Sequence, residues 1–146
     1  MKPSRSRKSL EKELDLLASL WVRKKAKGFC DYHYRLGREG DGWNTTLPRA
    51  AFIKCSPVRQ CCHKITRTNK RLRWDERNLF CGCSGSNLFF GTHPKGKEIW
   101  GQLWRDLWPE DVAYLERVRN QVAHYNRGDL MLMILDFRNK LAKEGT

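Results

Sequence analysis

The sequence is short of acid. Its 146 residues carry 16 Asp and Glu against 29 Lys and Arg, a formal net charge of +13. That imbalance argues against a self-neutralised surface and points to a polyanionic partner, of which nucleic acid is the commonest. Long apolar runs are also missing, so no segment reads as a bilayer-spanning helix. The amino-terminal stretch "MKPSRSRKSLEKEL" lacks the apolar segment and cleavage site of a signal peptide. A cytoplasmic protein with no membrane partner is therefore expected. The six cysteines would stay reduced there, which favours thiols or metal ligands over disulfides. No internal repeat and no low-complexity segment interrupts the chain, and its length suits one domain with a modest core.

What is present is mostly helical periodicity. Residues 1–8 read as a basic tail, and 9–146 as a single domain. Ser9 is a candidate helix cap, with Glu11 and Glu13 in the first turn at the positive dipole end. Leu10, Leu14, Leu17 and Trp21 recur at helical spacing, and Leu16 and Leu20 widen the apolar face. The cations of "RKKAKG" and Gly28 close that helix near residue 27. The Gly-rich "LGREGDGWNTTLP" reads as loop, and "AAFIKC" and "CHKIT" as short strands. A short helix is expected from about Ser86 or Asn87. Further helices occupy about 97–143. One starts at "WPED", with Pro109 at its first position, and continues through Val112, Leu115, Val118, Val122 and Tyr125. "NRGD" ends it, and Asp129 caps the last helix, whose stripe is Leu130, Met133, Ile134, Phe137 and Leu141. The fold class expected is α+β: a small, mostly helical domain with a short ββα element at about 58–95.

The polar centre is "CCHKITRTNKRLRWDERNLFCGCSGSN", residues 61–87. Hydrolysis of a phosphodiester with one divalent ion needs a base, ligands for the ion and a brace for the base. Histidine suits the base because its ordinary pKa lies near neutrality. Asparagine suits the brace because it both donates and accepts. His63, Asn78 and Asn87 fall in one window that can form strand, turn, strand and helix. Asn87 is the first candidate ligand for the divalent ion and His93, in "GTHPKG", the second. His93 also reads as an ordinary loop residue, and His124 as structural. Between residues 54 and 77 eight basic side chains face only Asp75 and Glu76. Lys64, Arg67, Lys70, Arg71, Arg73 and Arg77 are the candidate phosphate contacts, and binding through them would be salt-dependent. Six tryptophans suit either a core or a stacking surface.

"CHKITRTNKRLRWDERN" also resembles the HNH segment of the NinG/Rap family of phage recombination proteins, without a gap from Cys61 to Asn87. "RWDERN", residues 73–78, is the most specific part. The resemblance places the family's first HNH histidine on His63 and its central asparagine on Asn78. It implies an HNH-like ββα-metal element in an endonuclease that nicks branched DNA, such as Holliday junctions, during bacteriophage recombination, with magnesium or manganese. The chain departs from the pattern at Cys61-Cys62, Lys64, Leu79-Phe80 and Ser86. Cys83 aligns with a family zinc ligand. A structural zinc would want four Cys or His ligands, and the candidates are Cys30, His33, Cys81 and Cys83, with Cys55 in reserve; buried thiols without metal are the alternative. Two other functions compete: a DNA-binding protein on an HNH scaffold that has lost its chemistry, and an RNA-associated basic zinc protein.

Overall fold

A computed structural model describes residues 4–31 and 56–144. The loop and strand expected at residues 32–55, with His33 and Cys55, lie outside the described residues. The chain forms helix α1 (Arg7–Lys25), strand β1 (Arg59–His63), a 3-10 turn (Glu76–Asn78), strand β2 (Leu79–Cys83) and helices α2 (Ser84–Thr92), α3 (Pro94–Leu107), α4 (Pro109–Val118) and α5 (Arg127–Lys143). It is a mostly helical α+β fold around a two-stranded antiparallel sheet.

The helix boundaries follow from local chemistry. Ser6, not Ser9, caps α1: its hydroxyl accepts from the Ser9 amide at 3.1 Å. No acid therefore stands in the first turn. Just before and at the start of α1, Arg5 reaches Glu13 and Arg127 reaches Ser4. At the other end Lys27 and Gly28 both take positive φ, 52° and 83°, which turns the chain out of the helix. Pro109 begins α4 as expected, but α4 stops at Val118. Val122 is 79 % exposed and belongs to no apolar stripe. "NRGD" starts α5 instead of only ending its predecessor. Asn126 accepts from the Asp129 amide, and Asp129 returns a bond to the Asn126 amide, a capping box that satisfies two orphan donors.

Two apolar clusters sandwich the hairpin. On one face α1 and α5 bury Leu10, Leu14, Trp21, Leu130, Ile134 and Phe137 against Leu79 and Cys81. On the other, Cys62 and Phe80 meet Trp100 and Trp104 of α3 and Leu115 of α4. Strand alternation accounts for this split, since neighbouring residues point to opposite faces. Leu16 and Leu20 do not widen the core. They are 58 % and 40 % exposed, because α1 meets its partners along one side.

Candidate functional site

The site is built on the connection between the strands. β1 and β2 pair with Cys61 opposite Cys81 and His63 opposite Leu79. Fifteen residues, 64–78, join them. A connection of that length would move if nothing held it, and Asn78 holds it. Its side chain is fully buried. Oδ1 accepts from the Ile65 amide at 2.7 Å, and Nδ2 donates to the carbonyls of Ile65 at 2.9 Å and Leu72 at 3.0 Å. The Asn78 carbonyl also accepts from the Lys64 amide at 2.9 Å. One amide thus closes both ends of the connection. Each such bond contributes about 1 kcal/mol, and losing one partner costs about 1–3 kcal/mol.

His63 ends β1, half-buried. Its Nε2 lies 3.0 Å from the Arg73 carbonyl. A carbonyl only accepts, so Nε2 carries the proton and Nδ1 keeps its lone pair. Nδ1 has no hydrogen-bond partner among the described residues. Burial holds the imidazole below its ordinary pKa, and Arg67 and Arg73 add to that; the Arg73 carbonyl and Asp15 oppose it. The ring is therefore neutral at physiological pH, with a basic nitrogen available.

A half-open pocket of about 330 Å³ lies beside His63, between α1 and β1. Arg23, Arg59, Arg67 and Arg73 line it, with Asp15 as its carboxylate. Asp15 is already taken. It accepts from Arg73 Nε at 3.0 Å and from Trp74 Nε1 at 2.8 Å. Through Arg73 it also fixes the backbone that holds His63. Sequence reasoning did not find Asp15 or Arg23, and it counted Arg59 only within the basic density of residues 54–77. The only signal in the sequence was an acid beside Leu14 on a helix whose other partners lie 58 residues away.

The basic run divides. Lys64 is buried, its ammonium bonded to the Arg77 carbonyl at 2.7 Å, paired with Asp111 at 3.4 Å and set 4.6 Å from the Trp108 ring. Arg77 pairs with the same Asp111 at 2.8 Å. Burial works against the Asp111 carboxylate, yet Arg77 and Lys64 together hold its pKa below the usual range. Arg71 pairs with Asp75 at 3.4 Å and bonds Gln121. Arg73 is engaged by Asp15. Of the six candidate phosphate contacts, Arg67 and Lys70 are exposed and make no ion pair among the described residues.

The candidate metal ligands fall into separate places. Asn87, in the first turn of α2, donates to Gln60 at 2.9 Å. Gln60 is three residues before His63 on β1, and alternation turns their side chains to opposite faces. His93 lies beyond the end of α2, six residues and about 9 Å of helix rise from Asn87. Cys30 and Cys83 do meet: Cys30 Sγ accepts from the Cys83 amide at 3.1 Å. Ser86 donates to Cys83 Sγ from its amide at 3.5 Å, and its hydroxyl lies 3.2 Å from the same sulfur. Cys81 sits in the other cluster, opposite Cys61. Burial raises the Cys61 thiol to about 12, reinforced by Cys81, and burial with Asp31 raises Cys81. Among the described residues no three His, Cys, Asp or Glu side chains converge in the manner of a metal site.

Comparison of the chain with known protein families, curated proteins and solved structures gave no match. No helix among the described residues is long and apolar enough to cross a membrane.

Proposed function

We propose that this protein binds branched DNA and hydrolyses its phosphodiester bonds on an HNH-like ββα element, with His63 as general base. One observation carries the reading. The hairpin braced by Asn78 holds His63 with Nε2–H spent on a backbone carbonyl, which leaves Nδ1 to take a proton from water. The arginine-lined pocket beside the ring supplies the electrostatic field for a phosphate.

Asn87 donates Nδ2 to Gln60 and keeps Oδ1, the atom that would hold a divalent ion, with His93 six residues further along the chain as the second candidate ligand. Cys30 and Cys83 are neighbouring candidates for a zinc: Cys30 Sγ accepts from the Cys83 amide, and Cys83 Sγ donates to the Ser86 hydroxyl. Cys81 lies in the other apolar cluster, and His33 lies outside the described residues.

The test is a nicking assay on four-way junctions, with magnesium, manganese or chelator. His63→Ala should cut nicking about a hundred- to ten-thousand-fold and leave junction affinity within a few-fold. Wild-type nicking by His63→Ala would place the base elsewhere. A second reading, a DNA-binding protein on this scaffold without the chemistry, is favoured by the lack of a converging His, Cys, Asp or Glu group among the described residues. It becomes correct if the wild type binds junctions and cuts under none of these conditions.

A further inference from the structure

The pocket between α1 and β1 has an excess of charge that no contact among the described residues removes. Four guanidiniums meet one carboxylate, Asp15, and Arg73 with Trp74 already satisfies that carboxylate. Arg73 is further held by stacking on Trp74, 4.9 Å from the ring centre. Arg59 spends its Nε on the Gly28 carbonyl at 2.9 Å and another nitrogen on the Ser56 carbonyl. Carbonyls fix its direction without neutralising it. Arg23 is tethered only to its own helix, Nε to the Ser19 carbonyl at 3.2 Å. Arg67 makes no ion pair among the described residues. Among the described residues three positive charges thus stand uncompensated around a half-enclosed space of about 330 Å³. Holding them together costs repulsion, which an anion in the pocket would relieve.

We propose that this pocket is an oxyanion site that seats a phosphate group against His63, with Arg23 and Arg67 as its principal ligands and Arg59 and Arg73 as pre-oriented supports. Guanidinium forks match tetrahedral phosphate oxygens in pairs, and charge-assisted bonds of this kind are stronger than neutral ones. The chemistry is that of a phosphate monoester or diester. The source rests on the nucleic-acid reading above: a backbone phosphodiester of DNA, or a terminal or free phosphate. Arg23 comes from a helix remote in sequence from the basic run, so the site joins α1 to the hairpin in a single binding surface. The charged and titratable groups that face His63 here are Asp15, Arg23, Arg59, Arg67, Arg73 and the Cys61 thiol. An anion among them would favour the imidazolium and raise the His63 pKa from its depressed position.

The experiment follows the His63 ring resonances of the full chain by NMR during titration with inorganic phosphate. It is repeated in the double variant Arg23→Gln/Arg67→Gln, with folding checked by circular dichroism and Tm. Phosphate should shift the wild-type His63 signals and raise the ring's pKa, and the double variant should lose both responses. The variant should also flatten the salt dependence of junction binding by about two units. Junctions without terminal phosphates that still show this loss identify a backbone diester. A response confined to 5′-phosphorylated ends identifies a terminal phosphate. No shift of His63 with phosphate, or an equal shift in the double variant, overturns the site. A His63 response in a protein that cuts nothing would remove the hydrolysis reading and leave the pocket standing. His63-dependent nicking that survives in the double variant, with no phosphate-induced His63 shift in the wild type, would remove the pocket alone.

Discussion

The two sides of the 64–78 connection use basic residues for different ends. Toward α4, Lys64 and Arg77 share Asp111, Arg71 pairs with Asp75, and the Tyr114 hydroxyl donates to Asp75 at 2.6 Å. Three cations there meet two carboxylates inside one bonded network. Toward α1, four arginines meet a single carboxylate. The first side is nearly balanced and mechanically closed, while the second keeps an electrostatic excess. A basic run in a sequence is therefore not one surface. Cations with buried stems and assigned carboxylates belong to the fold, and those left over belong to a ligand.

The largest expected effect removes the element common to both sides. Asn78→Ala deletes three buried hydrogen bonds and strands the Ile65 and Leu72 groups that made them. A loss of about 3–4 kcal/mol is expected in urea unfolding. Asn78→Asp should not rescue it, because a carboxylate cannot donate to the two carbonyls. A loss under about 1 kcal/mol would show that the connection is held elsewhere.

Next comes a substitution on the closed side. Lys64→Met keeps an unbranched chain and removes the buried ammonium that stands over the Trp108 ring. The Arg77 carbonyl loses a donor, and Asp111 keeps only Arg77. About 2 kcal/mol of stability should go, with junction affinity of the folded protein unchanged within a few-fold. A large fall in affinity at full stability would make Lys64 a ligand residue and erase the contrast.

On the open side the pattern reverses. Arg67→Ala and Lys70→Ala should each change stability by no more than about 0.5 kcal/mol. Each should reduce the salt slope of DNA binding by about one unit if it meets a phosphate. Arg67 should matter more for junction binding than Lys70, because Arg67 lines the pocket.

Particular residues show how far the sequence could be read. Leu10, Leu14 and Trp21 marked the buried side of α1, since a 3.6-residue period maps directly onto one helix face. Pro109 marked the start of α4 because its ring suits the first helical position. His63 and Asn78 fell at the ends of the connection that Asn78 braces. The limits of α1 and α4 were less legible. Ser6 and Ser9 are equally good caps in isolation, and Asn126 outcompeted Asp129 only because the two cap reciprocally. Which cations are spent was not legible at all. Lys64 and Arg67 are alike in sequence, and only the position of Asp111, 47 residues on from Lys64, separates them. The pocket was hidden for the same reason: Asp15 and Arg23 reach it across a chain separation that no local pattern encodes.

The smallest expected effect lies in the pH dependence of stability, and it comes from the open side. In the folded chain burial holds the His63 imidazole below its ordinary pKa, whereas in the unfolded chain it titrates near about 6.5. Above that value both states carry a neutral ring, and the full contribution to stability is present. As the pH falls through the window between the unfolded and the lower folded pKa, the unfolded state takes up a proton that the folded state refuses. Stability must therefore decline on acidification across that window. His63→Gln keeps a donor for the Arg73 carbonyl and removes the titration, so its stability should flatten there relative to wild type. The half-exposed ring keeps the difference small. Phosphate should reduce it further, because an anion in the pocket raises the folded pKa toward the unfolded one. On the balanced side, the Asp111 carboxylate raises the Arg77 pKa further above this range, so substitutions there should leave the His63-dependent slope intact. Urea unfolding of wild type, His63→Gln and Lys64→Met between pH 5 and about 7.5, with and without phosphate, separates the two sides. A slope that persists in His63→Gln would assign the titration to another group and remove the charge excess at His63 as its cause.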